Sequence, residues 1–185
     1  MSAYSDDIRE RVAAAGRDPE SVKLYYGAQV IVGATHAEAQ EKAAYMRSLL
    51  RPEASLAMLS GQLGVDFSTY DPESPLDEIP VPGIQGVKDA LVATGAGAKV
   101  TVADAADIYA FRFSMPQVIG TPESVADQLE VFMDDGGADG FMLLATYTPG
   151  CFEEFVDLVV PELQRRGRYR SRYPGHTLRE NIRDD

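Results

Sequence analysis

The chain has 185 residues, 45% hydrophobic and 25% charged, a size and balance that fit one soluble globular domain and exclude a disordered or fibrous chain. A formal net charge of -12 argues against a general nucleic-acid or anionic-membrane binder, because phosphate contacts need clustered Lys and Arg. A single cysteine, Cys151, rules out an intrachain disulfide, and two histidines leave little for a Cys/His metal centre, so no metal is expected.

In chain order, Ser5 before Asp6 and Asp7 reads as an N-cap, and Ile8, Val12 and Ala15 keep helical spacing as far as Gly16. The start MSAYSDDIRERV carries no hydrophobic signal core, and no apolar run approaches the length of a membrane span, so a cytoplasmic, membrane-free protein is expected. Val22 to Gly33 is rich in Val, Ile and Tyr and predicts a strand interrupted at Gly27. Thr35 then caps a helix through Ala39, Ala43, Met46 and Leu50.

From Arg51 to Gln117 the signals change. A short helix is expected over Leu56 to Leu63, followed by a proline- and acid-rich ordered loop or lid containing Pro72, Pro75, Pro80 and Pro82. Two further helices flank the turn GAGAK, the second entered at Thr101. That turn is not a P-loop, since it lacks GK followed by Ser or Thr after a strand.

The clearest unit runs from Gly120 to Gly167. Thr121, Pro122 and Glu123 mark a helix start, and Val125, Leu129 and Phe132 make its apolar stripe up to Gly136 and Gly137. GFMLLAT lacks alternation and fits a strand buried on both faces of a parallel sheet. After Pro149 and Gly150 a second helix runs through Phe152, Phe155, Val156, Val159, Val160 and Leu163, with a kink or restart expected near Val160 because Pro161 removes a backbone donor. QVIVGATHAEAQEKA and QVIGTPESVADQL echo each other as strand, glycine, threonine, helix, which supports an α/β class.

The strings RVAAAGRDPESVKL, VGATHAEAQEKA, LSGQLGVDFSTYDPESPL, VIGTPESVADQLEVFMDDGGADGF and FVDLVVPELQRRGRYRSRYPGHTLREN resemble the C-terminal part of the luciferase-like flavin-dependent monooxygenases, specifically the nitrilotriacetate and dibenzothiophene-sulfone monooxygenase group. The resemblance covers nearly the whole chain. It implies one α/β domain over residues 1–185 forming part of a TIM-type (β/α)8 barrel, with Val22 to Gly33 similar to the seventh strand and Gly140 to Thr146 to the eighth. Residues 51–117 would be an insertion or lid, and the barrel would be completed or covered by oligomerisation.

The same resemblance implies oxygenation of a small organic substrate by reduced FMN and oxygen, with FMN delivered by a separate flavin reductase. The chain itself would hold the flavin or none. Barrel sites lie at the C-terminal ends of strands, which points to Ala145, Thr146 and Tyr147 as substrate- or flavin-facing. Where relatives carry a diproline and a PGG turn, this chain reads ATYTPGC.

Most of the barrel's strands lie outside the sequence. The isolated chain is therefore expected to be inactive, or to serve as a structural module that self-associates or complements a separate N-terminal half. Of the remaining candidates, Tyr147 reads as a ligand contact or, preferably, a ring packing its loop. Cys151 reads as a small residue at a helix start, and His36 has no identifiable catalytic partner. Glu153 with Glu154, and Asp134 with Asp135, read as surface charge, and RRGRYRSRY as a solvated helix end.

Overall fold

A computed structural model describes residues 2–113 and 115–183. The chain divides into two compact units, one made of the residues up to Lys42 together with those from Gln117 onward, the other of Ala43–Pro116.

In the first unit three strands form one parallel sheet in the order β2-β1-β3, with β1 spanning Tyr25–Val32, β2 Gln117–Gly120 and β3 Gly140–Leu144. Gln29 faces Gln117 on one side and Leu144 on the other, and Gly27 lies in register opposite Met142. Gly27 therefore continues the strand rather than interrupting it. On one face Val30, Val32 and Val118 pack with Val125, Ala126 and Leu129 of helix α6 (Pro122–Asp134) and with Val159 and Leu163 from the helix that follows β3. The other face carries Gln29 and Ile31, both buried, beside Met142, which is 58% exposed, and Tyr25, 48% exposed.

The expectation that GFMLLAT is buried on both faces is corrected here. β3 is an edge strand, paired only with β1 among the described residues, so its side chains are half-buried at best.

Helix α1 (Ser2–Ala14) begins before Ser5, so Ser5 is not the cap. Its hydroxyl is buried instead, donating to the Gly136 carbonyl at 2.6 Å and lying 2.6 Å from the Tyr26 hydroxyl. The helix after β3 opens as α7 (Gly150–Glu154), widens into a π turn over Phe155–Val159 and resumes as α8 (Val160–Arg165). Pro161 explains the wide turn: it has no N–H for the carbonyl four residues earlier and its ring crowds that carbonyl. The extra residue rotates the apolar stripe, so Val159 and Leu163 are buried while Phe152 and Val156 face outward.

The second unit is helical. Helix α2 (His36–Ser48) leads into it, and α3 (Pro52–Leu63) starts one turn earlier than the sequence suggests, with Pro52 in its first turn. Two short 3₁₀ turns, Phe67–Thr69 and Leu76–Glu78, order the proline-rich loop. Helices α4 (Gln85–Ala93) and α5 (Val102–Arg112) flank the GAGAK turn as expected. Thr101 opens α5 with a reciprocal capping box, its hydroxyl accepting from the Asp104 N–H and the Asp104 carboxylate accepting from the Thr101 N–H. Leu59, Leu63, Phe67, Leu76, Leu91 and Val102 are fully buried in one core. The short helix α9 (Leu178–Arg183) belongs to the first unit.

Candidate functional site

β1 and β3 run parallel and end at the same side of the sheet, where barrel chemistry would be sited. Gly33 follows β1, donates its N–H to the Gly120 carbonyl at 3.1 Å and lets α2 turn in tightly: a Cβ there would sit 2.5 Å from the Ala39 nitrogen. Thr35 caps α2 by accepting from the Glu38 N–H at 3.1 Å. This start aims Lys42, two turns on, back at the strand end. Its ammonium donates to the Val32 carbonyl at 2.8 Å and to both Glu154 oxygens at 3.1 Å, and lies 3.3 Å from Glu38.

From β3 the chain passes through Ala145, Thr146 and Tyr147 and a cis Thr148–Pro149 peptide bond into α7. Ala145 is exposed. The Thr146 hydroxyl donates weakly to the Val30 carbonyl at 3.4 Å, which ties the loop to β1. The half-buried Tyr147 hydroxyl donates to the Glu154 carboxylate in a short hydrogen bond. Gly150 makes room for this ring, since a Cβ there would lie 3.3 Å from Tyr147 Cε2.

Glu154 is thus the hub on which Tyr147 and Lys42 converge. The reading of Glu153 and Glu154 as plain surface charge is corrected for Glu154, which binds groups from two other elements. Lys42 and Glu154 escaped the sequence reading because they lie 112 residues apart and only the β1–β3 pairing brings them together. The one local signal was the seven-residue interval from Tyr147 to Glu154, which puts both at one helix start.

The electrostatics make the cluster a holder. Burial, then the Glu154 carboxylate, pushes the Tyr147 phenol well above its ordinary range, so it remains a proton donor. Burial pulls the Lys42 ammonium down, but Glu154 and Glu38 outweigh it and leave it raised. The Ala34 N–H and then Lys42 hold the Glu38 carboxyl below its usual value.

The FMN that the resemblance implies carries a dianionic phosphate and would need free N–H donors. Two carboxylates against one ammonium leave this cluster negative, and the ammonium's three N–H groups already face Val32, Glu154 and Glu38. These residues do not fit a flavin phosphate. What they do is fix the loop after β3 to α2 and to the end of β1.

The other singled-out groups play quieter parts. His36 is exposed and sits near Gly120, with Cε1 3.4 Å from where a Cβ would be. Cys151 is buried and free of any disulfide among the described residues. His176 is exposed, its N–H donating to Glu180 at 2.7 Å. Two arginines of the basic stretch after α8 are held by acids of the same chain. Arg166 pairs with Asp127 at 2.6 Å, Glu130 at 3.0 Å and Glu162 at 2.7 Å, and Arg168 pairs with Glu130 and Asp134. Among the described residues no helix is long and apolar enough to cross a membrane, and no three His, Cys, Asp or Glu side chains cluster as metal ligands do.

Comparison with known proteins follows the same lines. The sequence profile of the family described as luciferase-like monooxygenase matches residues 1–140. The chain is 35% identical over 191 residues to the dibenzothiophene-sulfone monooxygenase of Rhodococcus erythropolis, covering 98% of this chain and 41% of that protein. It is 36% identical over 182 residues to the long-chain alkane monooxygenase of Geobacillus thermodenitrificans, covering 98% and 37%. With the nitrilotriacetate monooxygenase of Aminobacter aminovorans, its component A, the identity is 34%, covering 97% and 40%. The crystal structure of DmoA from Hyphomicrobium sulfonivorans superposes with a TM-score of 0.84 at 34% identity, covering 98% of this chain and 38% of that one. The chain therefore spans about two fifths of the length of the relatives it matches. Its three parallel strands and flanking helices are a part of the (β/α)8 barrel of those relatives, as the resemblance implied. The chain belongs to the luciferase-like monooxygenase family.

Proposed function

We propose that the chain supplies part of a two-component, FMN-dependent monooxygenase that oxygenates a small organic substrate, with reduced FMN arriving from a separate flavin reductase in the cytoplasm. The observation that carries this reading is identity of 34–36% running across 97–98% of the chain to relatives that include a dibenzothiophene-sulfone and a nitrilotriacetate monooxygenase. The three-stranded sheet and the charge of the Lys42–Glu154 cluster support a further point: the chain by itself holds no flavin and has no oxygenase activity. Ala145, Thr146 and Tyr147 then line the substrate mouth of the completed barrel, and residues 51–117 form its lid. The test is a reductase-coupled oxygenation assay with FMN, run on the chain alone and with the N-terminal portion of a relative added. The chain alone should give no product and no flavin-binding isotherm. Turnover by the chain alone would overturn the point.

A second reading, that the chain works as an assembly module, is favoured by the edge of β3. Beside it lies a cavity of about 290 Å³ bordered by Tyr25, Phe141, Leu143, Phe155 and Tyr169, and on the sheet's other face Met142 is exposed. An unpaired strand edge next to apolar surface is a template for another chain. Sedimentation should then show self-association at micromolar concentration, and a compact monomer would count against it.

A further inference from the structure

The helical unit contains a cavity of about 360 Å³ whose wall is mainly apolar, from Leu50, Pro52, Leu56, Pro72, Ala103 and Ala106. The size is at the lower end of small-molecule sites. Ser55 also lines it. This serine is only 4% exposed, and its hydroxyl has no hydrogen-bond partner among the described residues. A buried hydroxyl without a partner costs stability, and the cost is recovered when something in the cavity bonds to it.

The charges at the rim narrow the ligand. Arg47 is committed to Asp107 in a close ion pair and lies over the Phe111 ring at 5.6 Å. Glu53 adds a further negative charge to the lining, so the rim is net negative and disfavours an anion.

We propose that this cavity is a binding site for a small, neutral, mostly apolar molecule with a single hydrogen-bond acceptor, held by the Ser55 hydroxyl. The site lies wholly within Ala43–Pro116 and is independent of the flavin reading.

The test titrates the 185-residue chain with cyclohexanone, methylcyclohexane and hexanoate, following the backbone amides by NMR. Cyclohexanone should shift Ser55, Leu56, Ala103 and Ala106 and bind about fivefold tighter than methylcyclohexane, the worth of one neutral hydrogen bond. Hexanoate should bind more weakly than cyclohexanone. Ser55→Ala should keep the fold and methylcyclohexane binding while abolishing the preference for the ketone. Ala103→Phe alters an exposed position on the cavity wall, so it should fold as the parent does and lose all three responses. Shifts scattered away from these residues, a ketone preference that survives Ser55→Ala, or an unchanged titration in Ala103→Phe would each overturn the proposal.

Discussion

The two units solve the same burial problem with different means. The helical unit meets most of its backbone hydrogen-bonding demand inside α3, α4 and α5 and in the capped turns between them, and it packs Phe67, Leu59, Leu63, Leu76 and Leu91 into a core with no exposed surface. The sheet unit packs β1 against β2 and β3 but leaves the outer edges of both neighbours without strand partners among the described residues. A helix closes its ladder on itself, whereas a sheet closes only when it meets another strand or curls into a barrel. The difference marks where the chain is self-sufficient and where it awaits something else.

The largest effect expected from breaking that comparison is at Phe67. Its ring is fully buried and packs tilted against Tyr70 at 5.9 Å. Phe67→Ala removes a large core side chain and should cost about 3–5 kcal/mol. Urea denaturation followed by the amides of Leu59 and Leu91 measures it. A cost below about 1 kcal/mol would mean that the helical core is looser than its burial implies.

Lys42→Met comes next. It leaves Glu154 and Glu38 facing each other without the ammonium and strips the Val32 carbonyl of its donor. The expected loss is about 1–2 kcal/mol, since charge-assisted bonds are strong but this one is part-exposed. A double-mutant cycle with Glu154→Gln should show clear coupling, and additive effects would dissolve the cluster as a unit.

Much of this was legible from local chemistry. Thr35, Thr101 and Thr121 each begin a helix because a hydroxyl accepting from the N–H three residues on is a purely local event. Pro161 likewise announced a break at Val160, and the resemblance named the barrel. Apart from the start of α3, which Pro52 marks locally, the misses depended on partners distant in sequence. Ser5 looked like a cap because its real partner, the Gly136 carbonyl, is 131 residues away. GFMLLAT looked doubly buried because an apolar run does not say whether its strand is central or at an edge. At the end of β3, the loop of Ala145, Thr146 and Tyr147 could be located from the strand pattern alone, while the meeting of Lys42 with Glu154 required the β1–β3 register.

Tyr147→Phe is a finer probe of the same end of the sheet. Loss of one hydrogen bond should cost about 1 kcal/mol at neutral pH. Because the phenol is raised in the folded chain, its contribution is complete below the free tyrosine value near 10 and fades as pH climbs through the folded value. Parent and variant should therefore converge in melting temperature above pH ~10. A constant gap from neutral to high pH would show that the ring's packing, and not its proton, is what counts.

The smallest effect on stability and the sharpest on the comparison is expected at Met142. The side chain stands out from β3, 58% exposed, so Met142→Lys should change the unfolding free energy by no more than about 0.5 kcal/mol. A lysine on an edge strand opposes further strand pairing, because docking a second chain would bury its charge. If the open edge of the sheet unit seeks a partner, the variant should stay monomeric at concentrations where the parent self-associates, with both equally folded by circular dichroism. Equal self-association of both would move the sticky surface away from β3, and Val156→Lys, on the outward apolar face within the π turn, would then be the next place to look.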